Sequence, residues 1–352
     1  MDARHETAPD PGSCCRWRRC PRWRSAVSRR VRLGAVAAHL VSDPDWLDGG
    51  TYFPVGQLIA GLLSHPAGVD RCEAAPVCGP PGLIISARTS DGAVANVLDV
   101  NSGSAESGLA QADVIAEAVR GDGAFSKAGR QQQIRVIADL FPEDVHLLVA
   151  TKTNIRSVAD LRAKRVSLGA LRSGTSVTVR AILAAYGLSE SRMEARHDTS
   201  DVDAQLLQQG RLDAFFFVGG RPVSLIDDLV SHGVARLVPI DGRGRDKLVK
   251  TVSSLASDVI PAGTYRNTPA VQTVRVNALW IVNAHEPDDI VYGITRGLFD
   301  AGNRAALING VPSAALIRPD SATLDLPAPL HSGAARFYRE TGHLPKATGA
   351  KR

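Results

Sequence analysis

Two short segments hold the residues best suited to chemistry. Gly49 to Leu63 reads GGTYFPVGQLIAGLL, a glycine turn carrying Thr51 and Tyr52, then Pro54 and an apolar helical pattern. Pro54 suits the first helical position, because its fixed φ matches a helix and its missing N–H would go unpaired there anyway. The free N–H groups of that turn would point at whatever lies beside Thr51 and Tyr52, and such a helix start favours a carboxylate or phosphate. The second segment, Arg172-Ser173-Gly174-Thr175-Ser176, sits between a strand pattern (165–170) and a helical pattern (176–186). Its hydroxyls and exposed N–H groups can hold a carboxylate, and Arg172 can add a bidentate clamp. An ordinary strand–helix connection with a serine cap fits the same residues. Two anion-friendly starts in different parts of the chain point to a cleft closing on a small acidic ligand. Helix starts on opposite exteriors, or a groove walled by acidic side chains, would contradict that reading.

Other candidates surround these two. Tyr52 offers a flat apolar face and one hydroxyl, which suits an amphipathic ligand or a place over the core. Ser90 and Asn96 flank the turn Asp91-Gly92, and Asn96 could equally cap backbone groups. Gln111 and Asp113 close the segment SGLAQAD, where ligands of open α/β sheets sit. Gln111 can face an anion as a neutral amide, whereas Asp113 suits a helix cap. Phe217, Gly219 and Arg221 lie at or beyond the C-terminal end of LDAFFFV (212–218), where cleft walls form.

Enzyme signatures are missing. The sequence has no phosphate-binding G-x-x-x-x-G-K-[ST] loop, no G-x-S-x-G elbow and no H-E-x-x-H pair. The histidines are scattered, with His146 in an apolar strand and His331 and His343 expected at the surface. GRGR (242–245) reads as a polar loop, and Glu143 and Asp144 as neighbours too near a lobe crossing to form an acid pair. No cofactor is expected, and no metal, since no second Cys or His pair has ligand spacing.

These residues need elements to position them, and the composition supplies enough chain. The 352 residues allow two domains, and 44% apolar with 22% charged residues is ordinary for a globular protein. No apolar run is long enough to span a membrane. The net charge of +5 is uneven: residues 1–48 hold nine arginines and six acids, leaving +2 on the rest. That is no footprint for nucleic acid. In the leader, Arg29-Arg30 followed by Leu33–Val41 has the order of a signal peptide. An export signal, a basic disordered tail and a misplaced start all fit residues 1–48, and SDPDWLD, which supplies no strand ahead of the glycine turn, supports the third. Cys72 and Cys78 lie in a Pro- and Gly-rich loop and can close a small disulfide in an oxidising compartment, or stand as two unrelated thiols.

From Gly49 onward strand and helix patterns alternate. Strands are expected at 83–87, 107–109, 134–140, 145–150, 165–170, 212–218, 235–240 and 274–282. Helices are expected at 93–100, from 114, from 157 with Ser157 as cap, and at 176–186, 202–209, 222–232 and 287–301. Such alternation implies α/β layers around a mostly parallel sheet.

The chain resembles the TAXI-type solute-binding proteins, extracytoplasmic receptors of one branch of TRAP (tripartite ATP-independent periplasmic) transporters. The resemblance runs from Gly49 to Leu344 through GGTYFPVG (49–56), DGAVANV (91–97), SGLAQADV (107–114), LFPEDVHLLV (140–149), SVADLRAKRVSLGALRSGT (157–175), GRLDAFFFVGGRP (210–222), IPAGTY (260–265) and LHSGAARFYRETG (330–342). It departs in lacking a strand before the glycine turn and in showing Leu171-Arg172 ahead of Ser-Gly-Thr. The resemblance implies an α/β type II periplasmic-binding fold, with a ligand cleft between two lobes joined by a two-segment hinge. Lobe one would be residues 49–143 plus 284–344, lobe two 144–283, and 345–352 a tail, with crossings near 142–145 and 282–287. It also implies a dicarboxylate or acidic amino acid as ligand, a TRAP-type permease as partner and a periplasmic location. An enzyme using the same cleft is the rival expectation. A cytoplasmic effector-sensing domain would predict a helix-turn-helix that the leader does not show.

Overall fold

The first strand of the sheet lies where the sequence shows least sign of one. A computed structural model describes residues 50–69 and 76–345, together with the backbone of 36–41. Val36–Val41 forms β1, paired in parallel with β2 (Ile85–Ser90) along its length and with β3 (Ser107–Gln111) at two positions. This corrects two expectations: the strand ahead of the glycine turn exists, and part of the apolar stretch assigned to an export signal lies inside the sheet. Cys72 lies outside the described residues, and with it the expected Cys72–Cys78 bridge.

The remaining strands are β4 (Ile134–Ala150), β5 (Arg165–Ser167), β6 (Glu194–Arg196), β7 (Ala214–Gly219), β8 (Ala235–Val238), β9 (Leu255–Ile260) and β10 (Val271–Asn283). The helices are α1 (Tyr52–Leu63), α2 (Ala93–Ser102), α3 (Ala112–Arg120), α4 (Gly174–Ala185), α5 (Ser200–Gln208), α6 (Ser224–Ser231), α7 (Gly242–Thr251), α8 (Asp288–Leu298), α9 (Arg304–Gly310) and α10 (Ser332–Glu340). The strand order is β2-β1-β3-β10-β4 at one end and β6-β5-β7-β4-β8 at the other, with β9 beside β10. Each half thus repeats one plan: its first strand is central, its second lies outside, its third lies inside, and an antiparallel strand shared with the other half comes next. This is the expected type II periplasmic-binding fold, with two α/β halves.

The shared strands β4 and β10 carry the chain between halves. Two strands were expected at 134–150, but FPED does not interrupt β4. Pro142 falls just ahead of Asp144, where β7 joins, and a missing N–H is tolerated where a strand lacks a neighbour on one edge. β10 pairs with β9 through Val276 and with β3 from Ala278, so its partner changes at Asn277.

Alternation along buried strands sets the layers. On β7, Phe216 and Val218 join the core under α4, while Phe215 and Phe217 face the opposite layer with Leu148, Ile226 and Tyr265. The cluster of Tyr52, Ile59, Trp280, Ile294 and Tyr338 holds α1, α8 and α10 against the first half. Three further readings need correction. GRGR opens α7, a largely exposed helix anchored by buried Leu248. His331 is buried, its Nδ1 accepting the Gly333 N–H at the start of α10. The Ser157 capping box is present, but it opens only a 3-10 turn, Val158–Leu161.

Candidate functional site

The parallel strands of both halves end at one place, and the loops that follow them line a cavity of about 370 Å³. Gly50, Thr51 and Tyr52 come from the start of α1, and Ser90, Asp91 and Ala93 from the β2–α2 turn. Gln111 ends β3, and Glu143 lies on β4. From the other half come Gly169 to Thr175 between β5 and α4, Asp198 to Asp201 with Asp203 around the start of α5, and Phe216 to Val218 on β7. Helix starts at strand ends are where open α/β sheets place ligands.

The start of α4 is built for close approach. Ser173 is the N-cap: its Oγ accepts the Ser176 N–H at 3.2 Å and donates to the Ala170 carbonyl at 2.7 Å. The helix therefore begins at Gly174, two residues earlier than expected. A Cβ at Gly174 would lie 1.8 Å from Gln111 Oε1, so any larger residue there must push that side chain from its place in the cavity. Thr175 Oγ1 accepts the Val218 N–H at 3.3 Å, which leaves its own O–H to donate into the cavity. At the start of α1, Thr51 occupies the cap position, so Pro54 falls third in the helix, not first. It remains within the turn whose N–H groups lack helical partners.

The halves touch across this cavity. Thr51 Oγ1 accepts the Gly220 N–H at 3.0 Å. Arg172 pairs with Asp91 at 2.9 Å, and its carbonyl accepts the Val94 N–H at 3.1 Å. Thr178 on α4 donates to Asp113 on α3 at 2.6 Å.

Nine of the twelve expected ligand residues line the cavity: Thr51, Tyr52, Ser90, Gln111, Arg172, Ser173, Gly174, Thr175 and Phe217. Three do not. Asn96 is buried and structural, accepting from Ser90 Oγ at 2.6 Å and donating to the Leu109 carbonyl at 2.7 Å. Ser176 is buried, its hydroxyl donating to the Ser173 carbonyl at 2.9 Å. Gly219 stands behind the wall, where a Cβ would meet the Phe217 ring at 2.5 Å and Thr51 Oγ1 at 3.1 Å.

Sequence reasoning missed the acids. Asp91, Glu143, Asp198, Asp201 and Asp203 line the cavity. Among the described residues the one basic side chain facing them is Arg172, which Asp91 already engages. The condition that the groove lack acidic walls is not met. Burial changes what these acids are. Glu143, 1% exposed and accepting from the Tyr52 hydroxyl at 2.8 Å, is pushed up to about 8 by desolvation, and Asp113 adds to the rise. Asp203 is pushed up to about 8 for the same first reason. Both carboxyls are thus mostly neutral near pH 7, and a neutral carboxyl can donate a hydrogen bond. Among the described residues no group of three or more His, Cys, Asp or Glu side chains could hold a metal ion.

Two α/β halves whose helix starts meet over one cavity define a two-lobed protein of the type II periplasmic-binding fold. The chain belongs to the NMT1-like family, whose model matches residues 48–342. Among solved structures it is similar to a protein of Bordetella bronchiseptica RB50, at 14% identity over 88% of this chain and 98% of that one, with a TM-score of 0.51. It is also similar to MatC from Rhodopseudomonas palustris with bound malate, at 14% identity, 88% and 96% coverage and a TM-score of 0.49. The alkanesulfonate-binding protein SsuA from Xanthomonas axonopodis pv. citri, bound to MOPS, matches at 17% identity, 75% and 85% coverage and a TM-score of 0.39. The Bordetella likeness is one of fold.

Proposed function

We propose that this protein is an extracytoplasmic solute-binding receptor of the TAXI type, which captures a small organic acid and hands it to a TRAP-type membrane permease. The observation that carries this reading is the convergence of the α1 and α4 starts, one from each half, on a single cavity of about 370 Å³. A volume of that order suits a small metabolite. Unpaired N–H groups at Gly174 and Thr175, with the Thr175 hydroxyl, form the carboxylate site.

Residues 49–143 plus 278–344 serve as lobe one and 144–277 as lobe two, with β4 near Asp144 and β10 near Asn277 acting as the hinge; the second crossing is thus placed where β10 changes partner, ahead of the expected 282–287. Ligand contacts from both lobes favour the closed form, which the permease reads. Placement outside the cytoplasm rests on the TAXI resemblance and not on residues 33–41, and the Cys72–Cys78 bridge belongs to the same proposal. The site features that favour an enzyme are the raised Glu143 beside Tyr52 and the raised Asp203. Recovery of an added ligand chemically unchanged after long incubation counts against that rival, whereas a new product supports it.

Calorimetric titration with small carboxylic acids tests the carboxylate site. Thr175→Val keeps the side-chain shape and removes the donor, and it weakens binding by about tenfold, as expected for a charge-assisted hydrogen bond. Unchanged affinity in that variant removes α4 from the site.

A further inference from the structure

The hydrogen-bond inventory of the cavity is unbalanced in two opposite ways. The start of α4 offers N–H groups that a helix leaves without partners, so that wall lacks an acceptor. Two other lining side chains, Gln111 and Asp203, are 5% and 1% exposed, and each has an oxygen with no partner among the described residues, Gln111 Oε1 and Asp203 Oδ1. Buried oxygens of this kind are paired in the large majority of cases; Gln111 Oε1 lacks a donor, and so does Asp203 Oδ1 once that carboxyl is ionised. A ligand made only of carboxylates satisfies the first wall and not the second.

The charges point the same way. Around the start of α5, Asp198 is engaged by Arg196 and Asp201 by the Thr199 hydroxyl, which leaves Asp203 without a cation among the described residues. Arg172 is already held by Asp91. A second carboxylate on the ligand would meet Asp198 and Asp201, and the one cation among the described lining side chains, Arg172, is shared with Asp91. We propose that the site selects an organic acid that also carries an ammonium group, with the carboxylate at the start of α4 and the ammonium against Asp203. This rests on the organic-acid reading and narrows it to amino acids over dicarboxylates.

The assignment has a protonic signature. Desolvation, opposed by the Ser167 hydroxyl and by Arg196 and reinforced by Asp198 and Asp201, holds the Asp203 carboxyl up at about 8. At pH 7 it is mostly protonated. An ammonium arriving beside it favours the carboxylate, and the displaced proton goes to buffer.

Calorimetry on the full chain with matched pairs tests this: aspartate against succinate, glutamate against glutarate, and leucine against 4-methylpentanoate. At least one amino member binds about tenfold more tightly than its partner, releasing up to about one proton at pH 7, read from heats in buffers of different ionisation enthalpy. Asp203→Asn removes both the preference, bringing the two members of each pair within about threefold of one another, and the proton release. If Asp203→Asn does not fold, the proton count on the parent protein decides, and binding of an amino member without release is contrary. Equal or tighter binding by the acids lacking ammonium overturns this inference alone. No heat with any of the six compounds overturns the organic-acid reading as well.

Discussion

Gly92→Ala is expected to abolish tight ligand binding while leaving the fold in place. Gly92 sits at φ +117°, a conformation open essentially to glycine alone. A Cβ there would lie 2.6 Å from the Arg172 carbonyl oxygen and 2.7 Å from the Ser173 Cα. Both are backbone atoms at the approach to α4, so no side-chain rotation relieves the clash. The Val94 N–H bond to the Arg172 carbonyl and the Arg172–Asp91 pair must open together. Disfavouring closure by about 3 kcal/mol lowers affinity roughly a hundredfold. The measurements are affinity by calorimetry and radius of gyration by solution scattering, with circular dichroism as the control for folding. Affinity within about threefold of the parent would show that the observed contact between halves is not part of binding.

Glu143→Gln is expected to flatten the pH dependence of stability of the empty protein. The folded-state carboxyl is raised to about 8 from an ordinary value near 4.5. A raised group contributes stability that is fully present below the unfolded value and is lost as pH climbs through the folded one. The parent therefore weakens between about pH 4.5 and pH 8, with Asp203 adding in the same direction. The substituted amide stays neutral at every pH and can still accept from Tyr52. Urea unfolding should find the two proteins similar at about pH 5 and the variant more stable by roughly 3 kcal/mol at about pH 8.5. Parallel pH curves for the two proteins would mean that Glu143 is not a buried neutral acid.

The fold was readable wherever periodicity and burial agree. AFFFVG is apolar on both faces because β7 lies between two layers, and VTVRAILAA repeats at helical spacing because α4 buries one side. Reading failed where local pattern and tertiary role diverge. VAAHLV has the composition of a leader core as much as of a strand, and only its neighbours β2 and β3 decide between them. GRGRDKLVKT looks like a loop because it buries a single leucine. At the site, the glycine turn and Ser-Gly-Thr stood out because helix starts have sequence signatures. Asn96 and Ser176 carry similar polar atoms but spend them on backbone partners. Asp198, Asp201 and Asp203 left no such signature, since acids before and within a first helical turn are ordinary helix-start residues. Only the placement of α5 beside β4 and β7 turns them toward the cavity.

The central claim is that the α1 and α4 starts together hold one small carboxylate-bearing molecule. Native electrospray mass spectrometry of the freshly purified full chain tests it most directly. The account predicts a population heavier by one small organic acid per chain, lost on denaturation and restored when that acid is added back. Bare chain mass alone, with no thermal shift from any organic or amino acid supplied at millimolar concentration, would contradict it.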